Sequence, residues 1–200
     1  MWKVQVISLS FGFERQVDII RSAILAAESS NVIVLAAASN SGGNKPLSWP
    51  AREPTVFNIY ATNGYGNSYE RNPTQRRHDD NFAVLGSCVK GWWNSGEKVV
   101  RSGTSTATPI AAGLASLTIH FLMQHRRQLE QRRNPTDEDL DKLCQRISTY
   151  AGMRRIFRRM VNPDNGDRGG YCYVEPWRLF DRHLSRDTIY DSILSELRQV

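Results

Sequence analysis

The sequence predicts an α/β fold in which a buried parallel sheet is followed by an α-helical tail. Two apolar, β-rich segments, residues 4–10 and 31–38, flank a segment with helical periodicity at residues 14–30. A strand, a helix and a strand in this order form a βαβ unit, whose right-handed crossover lays the two strands side by side. Near Arg126 the composition becomes basic and helical. We therefore expect the sheet to come from the first part of the chain and helices from the second.

The segments between the βαβ unit and the tail complete the predicted sheet. Residues 55–62 and 82–86 have the apolar composition of two more buried strands. Residues 64–80 are polar and rich in turn residues, which predicts a surface loop. Residues 89–102 lead into the next helix and contain Trp92 and Trp93. This pair could pack over the sheet or line a site, and because exposed paired tryptophans are rare we expect packing over the sheet.

The tail carries three helical patterns. A capping box at residues 136–139 opens the first, and residues 185–200 form the last. Between them lies an apolar stripe from Met153 to Val161, flanked by four arginines. We expect the stripe to pack on the domain and the arginines to be solvated, although such a helix can also bind membranes or partners. These patterns divide the chain into a sheet-bearing domain, residues 1–125, and a basic helical extension, residues 126–200.

Composition argues against several classes of protein. The chain has 200 residues, enough for one domain with an appendage, and a net charge of +6 without a dense basic block. Because the basic residues form no dense block, we do not expect nucleic-acid binding. We expect no membrane span either, because no apolar run reaches about 18 residues. Three scattered cysteines (Cys88, Cys144 and Cys172) fit neither a disulfide framework nor a zinc site. No cofactor or metal is expected, and no secretory signal is visible, which favours a cytoplasmic location.

A serine stands at the mouth of a predicted helix. The stretch Gly103 to Pro109 contains Ser105 and runs directly into an apolar segment with helical spacing. The first N–H groups of a helix lack intrahelical partners and its positive dipole end points outward, so an anionic oxygen beside Ser105 would be stabilised. Ser and Thr are also ordinary N-cap residues, so the spacing alone allows a helix start without chemistry. Pro109 is expected in the first turn, where it costs little.

The string Gly103-Thr104-Ser105-x-Ala107-x-Pro109 resembles the nucleophile motif of the subtilisin-like serine peptidases. The resemblance implies an incomplete doubly wound parallel sheet in three αβα layers. It also implies that Ser105 is the nucleophile of a serine endopeptidase acting on peptide or protein substrates.

Two earlier segments are similar to other parts of the same family. The segment at residues 36–43 looks like the one that carries the oxyanion asparagine, which implies that Asn40 donates its side-chain amide. The segment Ser10-Phe11-Gly12 looks like the substrate-binding edge, which would pair with a peptide as an added strand. Ala38 and Ser39 are implied to contact substrate as well, although many family members have Gly in place of Ser39. Residues 48–51 resemble a segment with a cis proline, which predicts a cis bond at Trp49-Pro50.

A serine nucleophile needs a histidine base and a carboxylate, and neither is evident. In the subtilisin order Asp and His precede Ser, yet no Asp-Thr/Ser-Gly or His-Gly-Thr segment occurs in the sequence. His120 and His125 would lie about 22 and 30 Å along the helix that begins near Ser105. His183 is in the tail, and His78, beside Asp79 and Asp80, is a weak candidate.

Two hypotheses follow from this missing base. In the first, the chain is the carboxyl part of a peptidase domain whose amino-terminal half is missing, and it is inert alone. In the second, it is a non-catalytic pseudopeptidase that binds peptides or partners. A nucleic-acid or membrane binder that uses the arginine-flanked helix is a third class.

Overall fold

A computed structural model describes residues 3–43, 45–77, 80–132, 138–163 and 169–200 of the chain. Its strands are β1 (Val6–Leu9), β2 (Ile33–Ala37), β3 (Val56–Thr62), β4 (Phe82–Leu85), β5 (Val89–Trp92), β6 (Lys98–Arg101) and β7 (Cys172–Tyr173). Its α-helices are α1 (Asp18–Ser29), α2 (Thr104–Arg132), α3 (Glu138–Gln145), α4 (Tyr150–Arg159) and α5 (Arg186–Leu197).

The main sheet has five strands in the order β1-β2-β3-β4-β7, and every pairing is parallel. All residues of β2 and β3 are buried, as their continuous apolar sequences predict for strands covered on both faces. The sequence prediction of an α/β fold with a parallel sheet is confirmed. Strand β1 lies at one edge and is only partly buried.

Helices cover both faces of this sheet. Alternate residues of β3 point to opposite faces, so Phe57 and Ile59 belong to one apolar core and Val56 and Tyr60 to the other. The first core also contains residues of α2, α4 and α5. The second contains Ile24 of α1 and the segment around Trp49. The result is the three-layer arrangement that the family resemblance implies.

The tail contributes to the same core as the sheet. In the stripe, Met153, Ile156, Phe157 and Met160 are fully buried and Val161 is partly buried. The ring of Phe157 lies 5.4 Å from the rings of both Phe57 and Phe82, measured between centroids. The expected packing of this stripe is confirmed. The sequence did not indicate β7, a two-residue strand that extends the sheet next to β4. The division of the chain into two domains at residue 125 stays a prediction, and the shared core joins residues from both sides of that boundary.

The prediction that Trp92 and Trp93 pack over the sheet is wrong. Strands β5 and β6 form a separate antiparallel hairpin, in which Trp92 is 71% exposed and Trp93 is 50% exposed. Because β5 and β6 pair only with each other among the described residues, their side chains have little to pack against. The two rings instead contact cations, Lys98 over Trp92 and Arg101 over Trp93.

Helix α2 is the longest element of the described chain. Its part Thr104–Gln128 is long and apolar enough to cross a membrane by length and composition, with a mean hydropathy of 1.3 in its best window. Of that window, 44% is buried inside the protein. A stripe of small and aliphatic side chains faces the sheet: Ala107, Ala111, Ala115, Ile119 and Leu122. Burial in the core therefore accounts for this stripe of α2, whereas Ile110 and Leu117 of the same helix are exposed.

We predict that Phe157→Ala destabilises the whole protein, because this ring joins the tail to the sheet. Loss of a buried Phe side chain costs about 3–5 kcal/mol of unfolding free energy. Urea unfolding followed by circular dichroism should show one cooperative transition at lower urea concentration. The control Arg159→Ala changes an exposed side chain of the same helix and should stay within about 0.5 kcal/mol. Two separate transitions, with only one shifted, would contradict a shared core.

Candidate active site

Ser105 is the second residue of α2 and its side chain is exposed. The start of α2 is held against the carboxyl end of the sheet, where Gly103 N–H donates to the carbonyl of Gly86 at 2.7 Å. A Cβ on Gly86 would lie 2.8 Å from the Cβ atoms of both Ala61 and Ala107, so only glycine allows this approach. Close packing between sheet and helix thus fixes the position of the serine.

The side-chain amide of Asn40 lies against the same helix start. Its Oδ1 accepts hydrogen bonds from Thr104 N–H at 2.9 Å and from the Thr104 hydroxyl at 3.3 Å. Since the oxygen end of the amide is engaged, the Nδ2 end is directed away from Thr104. Asn40 Nδ2 has no hydrogen bond to any described residue, and it remains available as a donor. The structure therefore brings Asn40 next to the residue that precedes Ser105.

Gly103 makes room for that amide. Its φ of +140° is a conformation that L side chains rarely adopt. A Cβ at this position would lie 2.9 Å from Oδ1 and 3.0 Å from Nδ2 of Asn40. Glycine is thus required both by the backbone conformation and by the position of the amide.

Pro109 is not in the first turn of α2, so the sequence expectation for it is wrong. It is the sixth residue of the helix, where a proline cannot donate the usual hydrogen bond to the carbonyl four residues earlier. That carbonyl belongs to Ser105, and the hydroxyl of Ser10 donates to it instead at 3.0 Å. The Ser105 hydroxyl in turn donates to the Ser10 carbonyl at 3.4 Å. The proline therefore frees an acceptor through which the end of β1 is joined to the serine.

The predicted substrate-binding edge follows β1. Ser10, Phe11 and Gly12 are exposed, and none of their backbone groups is hydrogen-bonded to another backbone group of the described chain. The next residue, Phe13, is paired with Trp49 in an antiparallel bridge, which holds the end of the segment. A Cβ on Gly12 would lie 2.5 Å from the Cβ of Ser48. Apart from the Ser10 carbonyl, which accepts from the Ser105 hydroxyl, the edge thus presents backbone donors and acceptors without a hydrogen bond to the described chain, on a fixed support.

Ala38 and Ser39 differ in accessibility. Ala38 is fully buried, its N–H donates to the carbonyl of Ile59 and its carbonyl accepts from Ser48 N–H. Ser39 is half-buried and has a φ of +149°, a conformation that favours glycine. A glycine would adopt this backbone conformation without strain. The Ser39 hydroxyl is engaged with Ser41, whose Oγ lies at 3.0 Å. The peptide bond Trp49-Pro50 is cis, as predicted.

The base expected for Ser105 is not found among the described residues. None of their histidine or carboxylate side chains is hydrogen-bonded to the Ser105 hydroxyl. His125 is buried in the core, where its Nε2 lies 2.7 Å from Asp187 Oδ1 and its ring stacks on Phe121. His78 lies outside the described residues. The described ranges also contain no group of three or more His, Cys, Asp or Glu side chains that could hold a metal ion.

Comparison with known proteins places this geometry in a family. A sequence model of the subtilase family matches residues 2–133. The chain belongs to the subtilase family. The subtilisin-like protease het-Q2 of Podospora anserina is 28% identical over 167 residues, which are 77% of this chain and 43% of that protein. The minor extracellular protease Epr of Bacillus subtilis (strain 168) is 27% identical over 115 residues, which are 58% of this chain and 18% of Epr.

Solved structures support the same fold. The protease domain of PatA with the substitution S218A has a TM-score of 0.67 at 20% identity, covering 95% of this chain and 61% of its own. The prenylagaramide maturation protease PagA has a TM-score of 0.64 at 22% identity, covering 88% of this chain and 61% of its own. The chain spans less than half of the length of the two curated relatives named above.

Two residues of the site were not identified from the sequence. Thr104 was part of the motif without a role, yet its N–H and hydroxyl orient Asn40. Gly86 was assigned only to the end of a strand, although it allows α2 to approach the sheet. A glycine directly after a buried strand was the available signal, because it often marks a close backbone approach.

We predict that Gly103→Ala displaces the Asn40 amide and destabilises the protein. The added methyl would meet the amide at 2.9 Å in a strained backbone conformation, at a cost of about 1–3 kcal/mol. Chemical denaturation measures the loss, and a crystal structure of the variant shows the amide position. Gly91→Ala is the matched control, because a Cβ there meets no atom within 4 Å. Equal stability of the two variants would contradict the requirement for glycine at residue 103.

Proposed function

We propose that this chain carries the nucleophile and oxyanion half of a serine endopeptidase active site. Ser105 is the nucleophile, and Asn40 donates to the oxyanion that forms from the substrate carbonyl. The observation that carries the proposal is the hydrogen bond from Thr104 N–H to Asn40 Oδ1, which joins the amide to the residue before the exposed Ser105 and leaves Nδ2 without a hydrogen bond to a described residue.

Attack by Ser105 Oγ would place negative charge on the former carbonyl oxygen. Two donors favour this oxyanion: Nδ2 of Asn40 and the N–H of Ser105 itself, which has no hydrogen-bond partner in the described chain. The positive end of α2 adds to their effect. Because the donors are fixed before the reaction, they stabilise the transition state without reorganisation.

The substrate would be an extended peptide that pairs with Ser10, Phe11 and Gly12 as an added strand. Their unpaired backbone groups are suited to main-chain hydrogen bonds with a peptide. The pair of hydrogen bonds between Ser10 and Ser105 would keep the scissile bond of such a peptide near the nucleophile. We further propose that Ser39, and Ala38 beneath it, shape the neighbouring pocket.

The histidine base and its aspartate must reach Ser105 from outside the described residues, and we propose that a missing amino-terminal half of the domain supplies them. Strand β1 supports this, because it pairs only with β2 in the described chain and Ser8 on it is exposed. In subtilisin, removing the nucleophile or the base lowers turnover by about 10⁶. The chain by itself is therefore proposed to be inert.

We propose that the partners of the protein are peptides or proteins, and neither nucleic acid nor membranes. Of the arginines on α4, Arg154 and Arg158 bind Asp80, and Arg155 binds Glu196. These ion pairs lower the positive charge that the helix offers to a phosphate backbone or an anionic bilayer. The two-domain division at residue 125 is proposed on the sequence alone.

We predict that a fluorophosphonate probe labels Ser105 only where a histidine base is supplied. The chain itself should show almost no labelling, whereas a longer reading frame that adds Asp and His motifs should be labelled rapidly. Ser105→Ala in the longer form removes the labelling, and Asn40→Ala there lowers peptide turnover by about 10²–10³-fold. His78→Ala in the chain should leave the slow background unchanged.

Two results would contradict the proposal. Rapid labelling of the chain that is lost in His78→Ala would make His78 the base. An in-frame stop codon just before Met1, together with peptide binding but no labelling, would favour the pseudopeptidase.

A second prediction concerns the arginines. We expect retention on heparin or on anionic liposomes to be lost at physiological salt, because binding through unpaired surface cations is strongly screened. Column retention measured from 50 to 150 mM NaCl tests this. Retention that survives 150 mM NaCl and falls in Arg159→Ala would point instead to a binding surface on α4.

A further inference from the structure

The hairpin of β5 and β6 turns one face to solvent. Residues that are directly opposed in an antiparallel pair lie on the same face, and Lys90 opposes Val100 while Trp92 opposes Lys98. Alternate residues of a strand also share a face, so these four side chains lie together. All four are exposed, Trp92 to 71% and Val100 to 57%. We call them the hairpin face, and the proposed proteolytic mechanism makes no use of them.

The hairpin face carries positive charge and no negative charge. Neither Lys90 nor Lys98 forms an ion pair with a carboxylate of the described chain. The Nζ of Lys98 lies 5.2 Å from the centroid of the Trp92 ring, an attraction that leaves the charge of the lysine in place. Glu97 is the one carboxylate of the hairpin, and it belongs to the opposite face because it pairs with Trp93. A partner that covers the hairpin face must therefore supply negative charge.

The hairpin face also has apolar surface that a partner would cover. A groove of about 440 Å³ lies on it, and its lining residues come from both strands: Lys90, Gly91, Trp92, Lys98, Val99 and Val100. Removal of exposed apolar surface from water favours association. Tryptophan is enriched among the residues that dominate binding energy in interfaces. The hairpin face thus combines an apolar anchor, Trp92, with two cations.

The edges of the hairpin offer backbone groups to an extended peptide. Hydrogen-bonded and non-hydrogen-bonded pairs alternate along an antiparallel ladder. The N–H of Trp93 donates to the Glu97 carbonyl at 2.8 Å, so the next hydrogen-bonded pair is Gly91 with Val99. The four residues of the hairpin face occupy the other positions, where N–H and C=O groups point away from the neighbouring strand. None of these groups is hydrogen-bonded to a backbone group elsewhere in the described chain.

We propose that the hairpin face binds an acidic segment of a protein, which adds to an edge of the hairpin as an extended strand. Both edges carry the same pattern, in which a lysine is followed two residues later by an apolar side chain. The pairs are Lys90 with Trp92 on β5 and Lys98 with Val100 on β6. A complementary strand therefore has a carboxylate two residues from an apolar side chain. Main-chain hydrogen bonds supply affinity, and the carboxylate opposite a lysine supplies the preference for this partner.

Two features favour a peptide over an anionic membrane or a nucleic acid. Binding to phosphates or to an anionic bilayer depends on the number of cations that make contact, and the hairpin face has two. The backbone groups at its edges match the main chain of a peptide, whereas neither a bilayer nor a phosphate backbone would pair with them as a strand.

Fluorescence anisotropy of a labelled peptide, titrated with the 200-residue chain, tests this proposal. The probe contains the sequence Glu-Ser-Leu-Ser-Glu, which places both glutamates and the leucine on one face of a strand. It should bind in a saturable way, and its Kd should rise with NaCl because the charges are exposed. A matched probe with lysine in place of both glutamates should not bind. Equal binding of the two probes would overturn the proposal.

Variants of the hairpin face locate the binding site. Trp92→Ala should raise the Kd of the glutamate probe by about tenfold or more, as loss of a tryptophan anchor does. The double variant Lys90→Glu, Lys98→Glu should prefer the lysine probe instead, because the charges are exchanged. Trp177→Ala and Lys3→Glu are the matched controls, since both side chains are exposed outside the hairpin, and they should leave the Kd unchanged. An unchanged Kd in Trp92→Ala and an unchanged preference in the double variant would overturn the assignment.

All the altered side chains are exposed, so circular dichroism should show the same fold for every variant. Vesicles of phosphatidylcholine with phosphatidylserine test the membrane as an occupant. Binding to these vesicles at physiological salt that is lost in Trp92→Ala, without binding of either peptide, would overturn the proposal in favour of a lipid surface.

The binding test is independent of the proposed proteolytic function. Ser105→Ala should leave the Kd of the glutamate probe unchanged, whereas loss of binding in that variant would place the peptide at the nucleophile and overturn the assignment. Binding of the glutamate probe with no fluorophosphonate labelling of any longer form would support the hairpin surface and contradict the peptidase. Labelling of a longer form without binding of the probe would do the reverse.

Discussion

The hydrogen bond between Thr104 N–H and Asn40 Oδ1 joins two parts of the chain that are 64 residues apart. It connects the end of β2 to the first residue of α2, and both positions depend on the parallel sheet. Parallel strands bring their carboxyl ends to one edge, which is where ligands bind in folds of this kind. Glycine at residues 86 and 103 then allows the helix and the amide to approach that edge. The amide is thus oriented by backbone geometry, before any substrate is present.

Pro109 shows how a local defect can serve the site. A proline in the second turn removes one helix hydrogen bond, and it leaves the carbonyl of Ser105 without its usual donor. The hydroxyl of Ser10 fills that vacancy from the end of β1. A regular α2 would not need this donor, and the segment Ser10-Phe11-Gly12 would lose one of its hydrogen bonds to Ser105. The proline of the serine motif therefore allows the contact between α2 and the end of β1.

Much of the fold could be predicted from sequence, because its signals are local. Continuous apolar runs define β2 and β3, and the serine motif is contiguous, so both were found at once. The hairpin at residues 89–101 was missed, because two tryptophans normally indicate burial and nothing local shows that their strands pair only with each other. The position of Pro109 within α2 was misjudged by one turn, since helix starts are poorly defined by sequence. The partners of Asn40 depend on contacts between distant segments, which no local pattern contains.

The two edges of the sheet differ, and the difference bears on catalysis. At one edge of the sheet β7 pairs with β4, and residues beside β7 belong to the shared core. At the other edge β1 is only partly buried and its Ser8 is exposed. The end of this open strand is Ser10, which contacts Ser105 directly. Any strand added in parallel beyond β1 would bring its carboxyl end to the same edge and hence close to the serine. The open edge and Ser105 therefore lie at the same end of the sheet, so strands of the proposed amino-terminal half that paired with β1 would end close to the serine.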